Sequence, residues 1–499
     1  MPALHSEAFR AYQAKDRARA AEALGRILQL NPGDARAQLL SGLIRPPEDA
    51  PAALALVEAA AFADPADPNG WYNLGVLEAE RGALPAAIEA YRRAVAVDPT
   101  HLNALGNGAE LLRRLEFFEE ALAWADRRLL LAPQDWSAHL NRSVCLFHLR
   151  RWQEAEAASD VARRLAPERD IIAWERFAML LFQKRFAEAW DAFEHRFAVG
   201  HLNGVFAYPF PQPLWRGEPL AGKRIIVHNE QGLGDQLMFA CALQEVVDAA
   251  GETIVVAAPP LCDLFAASFP KATVLPALYG RFAGDHPEPP WLKRLPPADF
   301  QAPIGSLMAV LRRTEASFAD PKPYLRPSEA ARARWAGVDA GQGLKAGLCW
   351  ASNPALFRMD SARRATRKSM PVETLAPLAK IAGLSLVSVL NWPLPPEAKA
   401  FNGRLLDLHA RLASLDDTAA LIERLDLVIT VDTAAAHLAG ALGKETWLLL
   451  HDFPDCRWEL AADRSYWYPD VRLFRQQAPG DWGGVVAEVA KALEARLAA

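Results

Sequence analysis

The string His228-Asn229-Glu230-Gln231-Gly232-Leu233-Gly234-Asp235 puts an imidazole, two carboxylates and two glycines directly behind a β-branched run, Ile225-Ile226-Val227. The order is strand, glycine-rich turn, helix. Glycine lacks a Cβ and tolerates positive φ, so Gly232 and Gly234 let the backbone approach a ligand closely. The helix that follows begins with N–H groups that have no intrahelical partner and that favour anions. Asp235 falls near that start, where a carboxylate is well placed; its bland role is a helix cap. Polar groups crowded behind an apolar strand favour a site, because open α/β sheets bind ligands there.

A second string has the same plan. Leu427-Val428-Ile429-Thr430-Val431 reads as a strand, and Asp432-Thr433-Ala434-Ala435-Ala436-His437 opens an alanine-rich helix. Asp432 or Thr433 is expected to cap that helix, with the N–H groups at 433–435 facing a phosphate oxygen. His437, in the second turn, is either structural or part of the same site. Between the two strings, Arg358 to Lys368 (RMDSARRATRK) is strongly basic. It reads as a solvated loop or as an anion clamp for a nucleotide phosphate or a sugar carboxylate.

The elements that must position these residues follow from pattern. Strands are expected at 225–228, 253–257 and 273–275, with helices near 235–250 and 260–268. Residues 276–303, rich in proline, read as an irregular segment. Further strands are expected at 345–350, 384–390, 405–408, 427–431 and 445–450. Helices are expected at 373–382, 416–424 and 482–497. This predicts a two-lobed α/β unit, with one lobe at 224–340 and the other at 341–499. Residues 204–223 form an apolar, proline-rich connector.

Everything before the connector reads as repeats. Pro32, Pro65, Pro99, Pro133 and Pro167 recur every 33 or 34 residues, and Ala87, Ala121, Ala155 and Ala189 every 34. The unit at 68–101, with Trp71, Leu74, Gly75, Gly82, Ala87, Tyr91, Ala94 and Pro99, matches the tetratricopeptide pattern. Each unit is a helix–turn–helix, closed by proline and packed through small residues. The array is expected to span 1–203, with 35–67 irregular and 170–203 as its cap. Asn73, Asn107 and Asn141 share the sixth position of successive units, where an amide offers donor and acceptor to an extended peptide. The bland alternative is a solvated face.

The 499 residues exceed one ordinary core. A net charge of −5 gives no reason to expect nucleic acid as a partner. Five scattered cysteines fit a reducing compartment and lack metal spacing. The N-terminus has no apolar core of signal-peptide length, and no run reaches the ~20 residues of a membrane span, so a cytoplasmic protein is expected.

HNEQGLGDQLMF, GLCW followed by Asn353-Pro354, VDTAAAHLAGALGK, Arg457-Trp458 and the segment from Tyr466 to Gln476 together resemble a known family. It comprises bacterial tetratricopeptide proteins with a heptosyltransferase-like domain, glycosyltransferases of the two-lobed GT-B class. In plan they are similar to O-linked N-acetylglucosamine transferases, and the asparagine series resembles the ladder of those enzymes. The resemblance implies two Rossmann-like lobes, 224–340 on the acceptor side and 341–499 for the donor, and inverting, metal-independent transfer from a nucleotide-sugar, with no other cofactor. It implies that Asp235 is the base, His228 and Glu230 being the alternatives. It implies donor binding by Trp350, Asn353, Arg367, Ser369, Asp432, Thr433, Ala434, His437, Arg457 and Trp458. Ala351-Ser352 departs from the family's usual basic-glycine pair. The expected acceptor is Ser or Thr of a polypeptide held by the repeats, with flagellin and a nonulosonic acid as the specific candidates. The alternatives are a lipid or polysaccharide acceptor, or a non-catalytic repeat scaffold.

Overall fold

The computed structural model describes residues 1–277, 291–319, 321–352 and 367–498. It divides into two compact units, Met1–Ile172 and Ala173–Ala499.

The first unit is helical throughout, and each helix packs on the next. The helices Pro68–Glu80, Leu102–Arg114 and Trp136–His148 have 13 residues each, and their partners Leu84–Val97, Phe118–Leu131 and Trp152–Leu165 have 14. The 34-residue spacing is therefore a spacing of helix pairs. Pro65, Pro99 and Pro133 stand one residue past the C-caps Asp64, Asp98 and Ala132. Asp67, His101 and Asp135 then cap the next helix through their side chains. Ala87, Ala121 and Ala155 are wholly buried, and Gly75 leaves room for the Tyr91 ring, which a Cβ would meet at 2.6 Å. The irregular unit is shorter: Ala35–Leu43 has only nine residues before Pro47–Asp49 forms a tight turn.

The repeat pattern runs to residue 203, but the unit boundary falls after Ile172, at the start of the helix Asp170–Phe182. That helix and Phe186–Phe193 form the expected pair. From Ala173 onward they belong with the α/β unit. Trp190 Nε1 donates to Arg312 O at 2.8 Å, and Trp190 and Phe193 pack on Phe239. The aromatic residues of this last pair are what draw it into that core.

The second unit holds two all-parallel sheets in an α/β arrangement. In the first, β1 (Arg224–His228), β2 (Glu252–Ala257), β3 (Thr273–Pro276) and β4 (Phe300–Pro303) lie in the order β3-β2-β1-β4. In the second, β5 (Leu344–Cys349), β6 (Leu384–Ser388), β7 (Leu405–Leu406), β8 (Leu427–Val431), β9 (Thr446–Leu450) and β10 (Val471–Arg475) lie in the order β10-β9-β8-β5-β6-β7. Strands such as β8 are buried on both faces and read as continuous apolar runs. The strand order of each sheet reverses beside its first strand, between β1 and β4 and between β5 and β8. Ligands of doubly wound folds bind outside the carboxyl ends of the strands at such switch points. Two strands differ from the sequence reading. β4 lies inside the segment read as irregular, and β10 was not expected; β4 is short and framed by prolines, which masks its period. The connector adds to the first sheet, since Trp215 N donates to Gln301 O at 2.9 Å and Gln301 N to Pro213 O at 3.0 Å.

Candidate functional site

β1 hands the chain to a turn whose left-handed residue is Gln231, with φ 56°. Gly232, at φ −79° and ψ 170°, is the N-cap of the helix Leu233–Phe239. Neither Gly232 nor Gly234 takes positive φ, so what they contribute is the missing Cβ. Gly234 matters for closeness: a Cβ there would lie 3.1 Å from His437 Cδ2 and 3.5 Å from Ala434 Cα. The helix after the first string and the helix Ala434–Ala441 after the second therefore touch at their starts.

Asp235 is the third residue of its helix. Its Oδ2 accepts from Gly232 N at 3.0 Å, and its Oδ1 accepts from Arg457 Nη1 at 2.7 Å. It is both a cap and a charged partner of the second string's surroundings. Arg457 sits in the turn Cys456–Trp458 and also lies 2.9 Å, through Nε, from Asp455 Oδ1. Asp455 in turn accepts from Arg457 N at 3.3 Å.

Asp432 does not cap its helix. It is buried, and its Oδ2 lies 2.5 Å from Lys368 Nζ. Burial opposes its charge, but Lys368 beside it prevails and its pKa is lowered. Burial likewise opposes the Lys368 ammonium, and Asp432 and Asp455 raise its pKa despite that. Thr433 takes the N-cap position without a side-chain cap; its hydroxyl instead meets Cys349 Sγ at 3.4 Å and Thr430 Oγ1 at 3.3 Å. The Thr433 side chain makes no capping hydrogen bond, so Ala434 heads a start without a side-chain cap. His437 is buried one turn later. It stacks on Trp458 with centroids 4.9 Å apart. Burial, then Arg457, push its pKa down to about 4.

Other predicted donor residues flank this centre. Ser369 Oγ accepts from Ser352 N at 3.2 Å, and the carbonyl of buried Trp350 accepts from Met370 N at 2.9 Å. Arg367 Nη2 donates to Asp452 Oδ1 at 3.2 Å. Asn353 and residues 358–366 of the basic loop lie outside the described residues.

Two of the three candidate bases face elsewhere. Glu230 Oε2 accepts from Arg196 Nε at 2.6 Å, and its Oε1 from Arg196 Nη2 at 2.8 Å and from Gly305 N at 2.8 Å. With both partners buried, this is an ion pair of the core, and taking a proton there would strand a buried cation. His228 Nε2 lies 3.0 Å from Gln301 Oε1, and its ring stacks on Phe210 at 4.5 Å. Burial lowers its pKa to about 4. The physical reason is the same for both: alternate residues at a strand end turn into the core, and polarity alone does not tell which. Asp235 remains.

The three asparagines hold equal helix positions with unequal surroundings. Asn73 Nδ2 donates to Asn69 O at 2.8 Å within its own helix. Asn107, exposed, lies 3.4 Å from Tyr72 Oη. Asn141 is buried and accepts from Arg113 Nε at 3.1 Å.

A cavity of about 820 Å³ opens beside Cys241, Arg312, Tyr324 and Trp467, and none of the predicted site residues line it. Among the described residues no group of three or more His, Cys, Asp or Glu side chains is arranged to hold a metal ion, and no helix is long and apolar enough to cross a membrane. Sequence reading did not single out Lys368, Asp455 or Tyr468. The signals were present, in the last residue of the basic loop, in an acid two residues before Arg457, and in the Tyr466–Pro469 aromatic run.

The chain carries tetratricopeptide repeats followed by a C-terminal α/β unit. A family model described as tetratricopeptide repeat matches residues 48–101 and 107–170. Along most of its length the chain is similar to Protein FlbA of Caulobacter vibrioides, at 29% identity over 450 residues, covering 87% of this chain and 74% of that protein. Among solved structures, "YrrB: a TPR protein with an unusual peptide-binding site" aligns at 20% identity and TM-score 0.31, over 33% of this chain and 86% of that one. The Pseudomonas aeruginosa pilF structure aligns at 15% identity and TM-score 0.34, over 40% of this chain and 90% of that one.

Proposed function

We propose that the α/β unit is a glycosyltransferase of the two-lobed GT-B class that moves a sugar from a nucleotide-sugar to a hydroxyl, and that the repeats hold the polypeptide bearing it. The observation that carries this reading is the contact of the two helix starts. Gly234 lies against Ala434 and His437, and Asp235 meets Arg457. A carboxylate from one sheet and a helix start without a side-chain cap from the other thereby share one place. Asp235 takes the proton of the acceptor hydroxyl as its oxygen bonds to the anomeric carbon. The bond from that carbon to the donor's phosphate oxygen breaks, and the nucleotide leaves with the electron pair. The N–H groups at 434–435 and the cations Arg457 and Lys368 stabilise that leaving phosphate. Arg457 passes from Asp235 to the phosphate, which frees the base.

Flagellin is the candidate acceptor and a nonulosonic acid the candidate sugar, on the family resemblance and the basic loop. The reading places the reaction in the cytoplasm, where nucleotide-sugars are available. Thermal unfolding with a panel of nucleotide-sugars tests it. A bound donor at a hundredfold excess over its Kd stabilises by about 2.7 kcal/mol. A panel in which none shifts the transition counts against the proposal. A second reading, transfer to a lipid or polysaccharide, draws support from the burial of Asn141, which interrupts a uniform peptide-binding row.

A further inference from the structure

His437 is held by groups far apart in the chain. Its face stacks on Trp458 at an interplanar angle of 24°, and its Cδ2 edge lies against Gly234. Its Nδ1 is 3.0 Å from the Tyr468 hydroxyl. Gly440, one turn further along the same helix, makes room for Tyr468, since a Cβ there would come within 2.5 Å of that ring.

The hydroxyls then decide where the protons lie. Tyr324 Oη donates to Leu237 O at 2.9 Å, which uses its one hydrogen. Tyr468 has one hydrogen and two neighbours, His437 Nδ1 at 3.0 Å and Tyr324 Oη at 3.5 Å. Donated to Nδ1 it makes the 3.0 Å bond, whereas a protonated Nδ1 would leave it only the 3.5 Å contact, so the first arrangement is favoured. Nδ1 is then an acceptor, and a neutral imidazole carries its hydrogen on Nε2. The charged groups around the ring are Arg457, Asp432, Asp235 and Asp455.

We infer that Tyr468 is a positioning residue: by donating to Nδ1 it holds His437 as the Nε2–H tautomer, a neutral donor for a ligand oxygen beside Arg457 and Ala434. The inference rests on the reading of this site as one for a nucleotide phosphate. The other tautomer would turn a lone pair toward a phosphate oxygen and repel it. Burial, then Arg457, oppose a protonated ring and outweigh Asp432, Asp235 and Asp455, which favour it.

The test uses the full chain labelled with nitrogen-15 at histidine. A spectrum correlating ring nitrogens with ring carbon-bound protons at neutral pH distinguishes the two tautomers, and His437→Gln identifies the signals. The expected result is a bare Nδ1 and a protonated Nε2 in the native protein, with Tyr468→Phe giving the other tautomer or a mixture. A protonated Nδ1 in the native protein overturns the inference, as does a Tyr468→Phe variant that keeps the native tautomer. Uridine diphosphate, guanosine diphosphate and cytidine monophosphate are then titrated in. At least one is expected to shift the Nε2 signal and to bind about tenfold more weakly to folded Tyr468→Phe. If the tautomer is as inferred but none of the three moves Nε2, the tautomer assignment stands and the phosphate reading falls.

Discussion

Asp235 Oδ1 accepts a hydrogen bond from Arg457 Nη1 at 2.7 Å, although 222 residues separate them in the chain. The pair ties the turn after β1 to the segment after β9, so the carboxyl ends of both sheets contribute to one cluster. An Asn at 235 keeps an acceptor for Gly232 N, and Arg457 keeps Asp455. Asp235→Asn is therefore expected to change stability by less than about 1 kcal/mol, the range of partly exposed pairs. Transfer should fall by about 10²- to 10⁴-fold, the usual share of a general base. Denaturation and turnover measured on the same preparation check both halves.

Lys368 and Asp432 make a different kind of pair, because Asp432 is buried. Lys368→Met strands a carboxylate and should cost about 3 kcal/mol. Adding Asp432→Asn should restore much of that. Urea unfolding of the single and double variants measures it, and additive losses would mean that the two do not interact.

His228, His437 and His451 are all buried, and burial lowers each pKa to about 4. Above pH ~6.5 they are neutral in both folded and unfolded chains and contribute nothing to the pH dependence. Between ~6.5 and 4 the unfolded chain takes up protons that the folded one refuses. Stability of the α/β unit should therefore fall as pH drops through this window, by up to about 1.4 kcal/mol per unit for each histidine. Asp432 and Asp455, whose pKa values are also lowered, extend the loss below it. Chemical denaturation at intervals from pH 7 to pH 4 would show a flat profile if these rings were solvated.

In the repeats, equal positions carry different expectations. Asn141→Ala should lower stability by about 1–3 kcal/mol, because it removes a buried partner of Arg113. Asn73→Ala and Asn107→Ala should leave stability within about 0.5 kcal/mol and weaken binding of a polypeptide. Binding that depends on Asn141 alone would show that the series does not act as a row.

The turn inside each of the three regular repeats from 68 to 169 has a left-handed residue, Gly82, Glu116 or Arg150. Gly82→Ala should destabilise the first unit by about 1 kcal/mol, whereas Glu116→Gly should not. Thermal unfolding of the two variants decides the matter.

Much of this was legible in the chain because period is a strong signal. Proline and alanine spacing located the helix pairs, and the β-branched runs located β1, β2 and β8. The contact of Gly234 with Ala434 was not legible, since nothing local links strings so far apart. Pattern also could not separate Asp235 from Glu230. Both are acids beside the same glycines, and only packing shows that Glu230 is spent on Arg196, itself wholly buried. The helix pair after Ile172 carries a repeat's period but an α/β unit's aromatic face, and tertiary packing overrode the period.

Intact-mass analysis of flagellin incubated with the protein and a pool of nucleotide-sugars tests the central claim most directly. The account predicts a gain of one or more glycosyl masses with the native protein and none with Asp235→Asn. An acceptor modified equally by both, or a pool from which the native protein neither binds nor consumes any nucleotide-sugar, would contradict it.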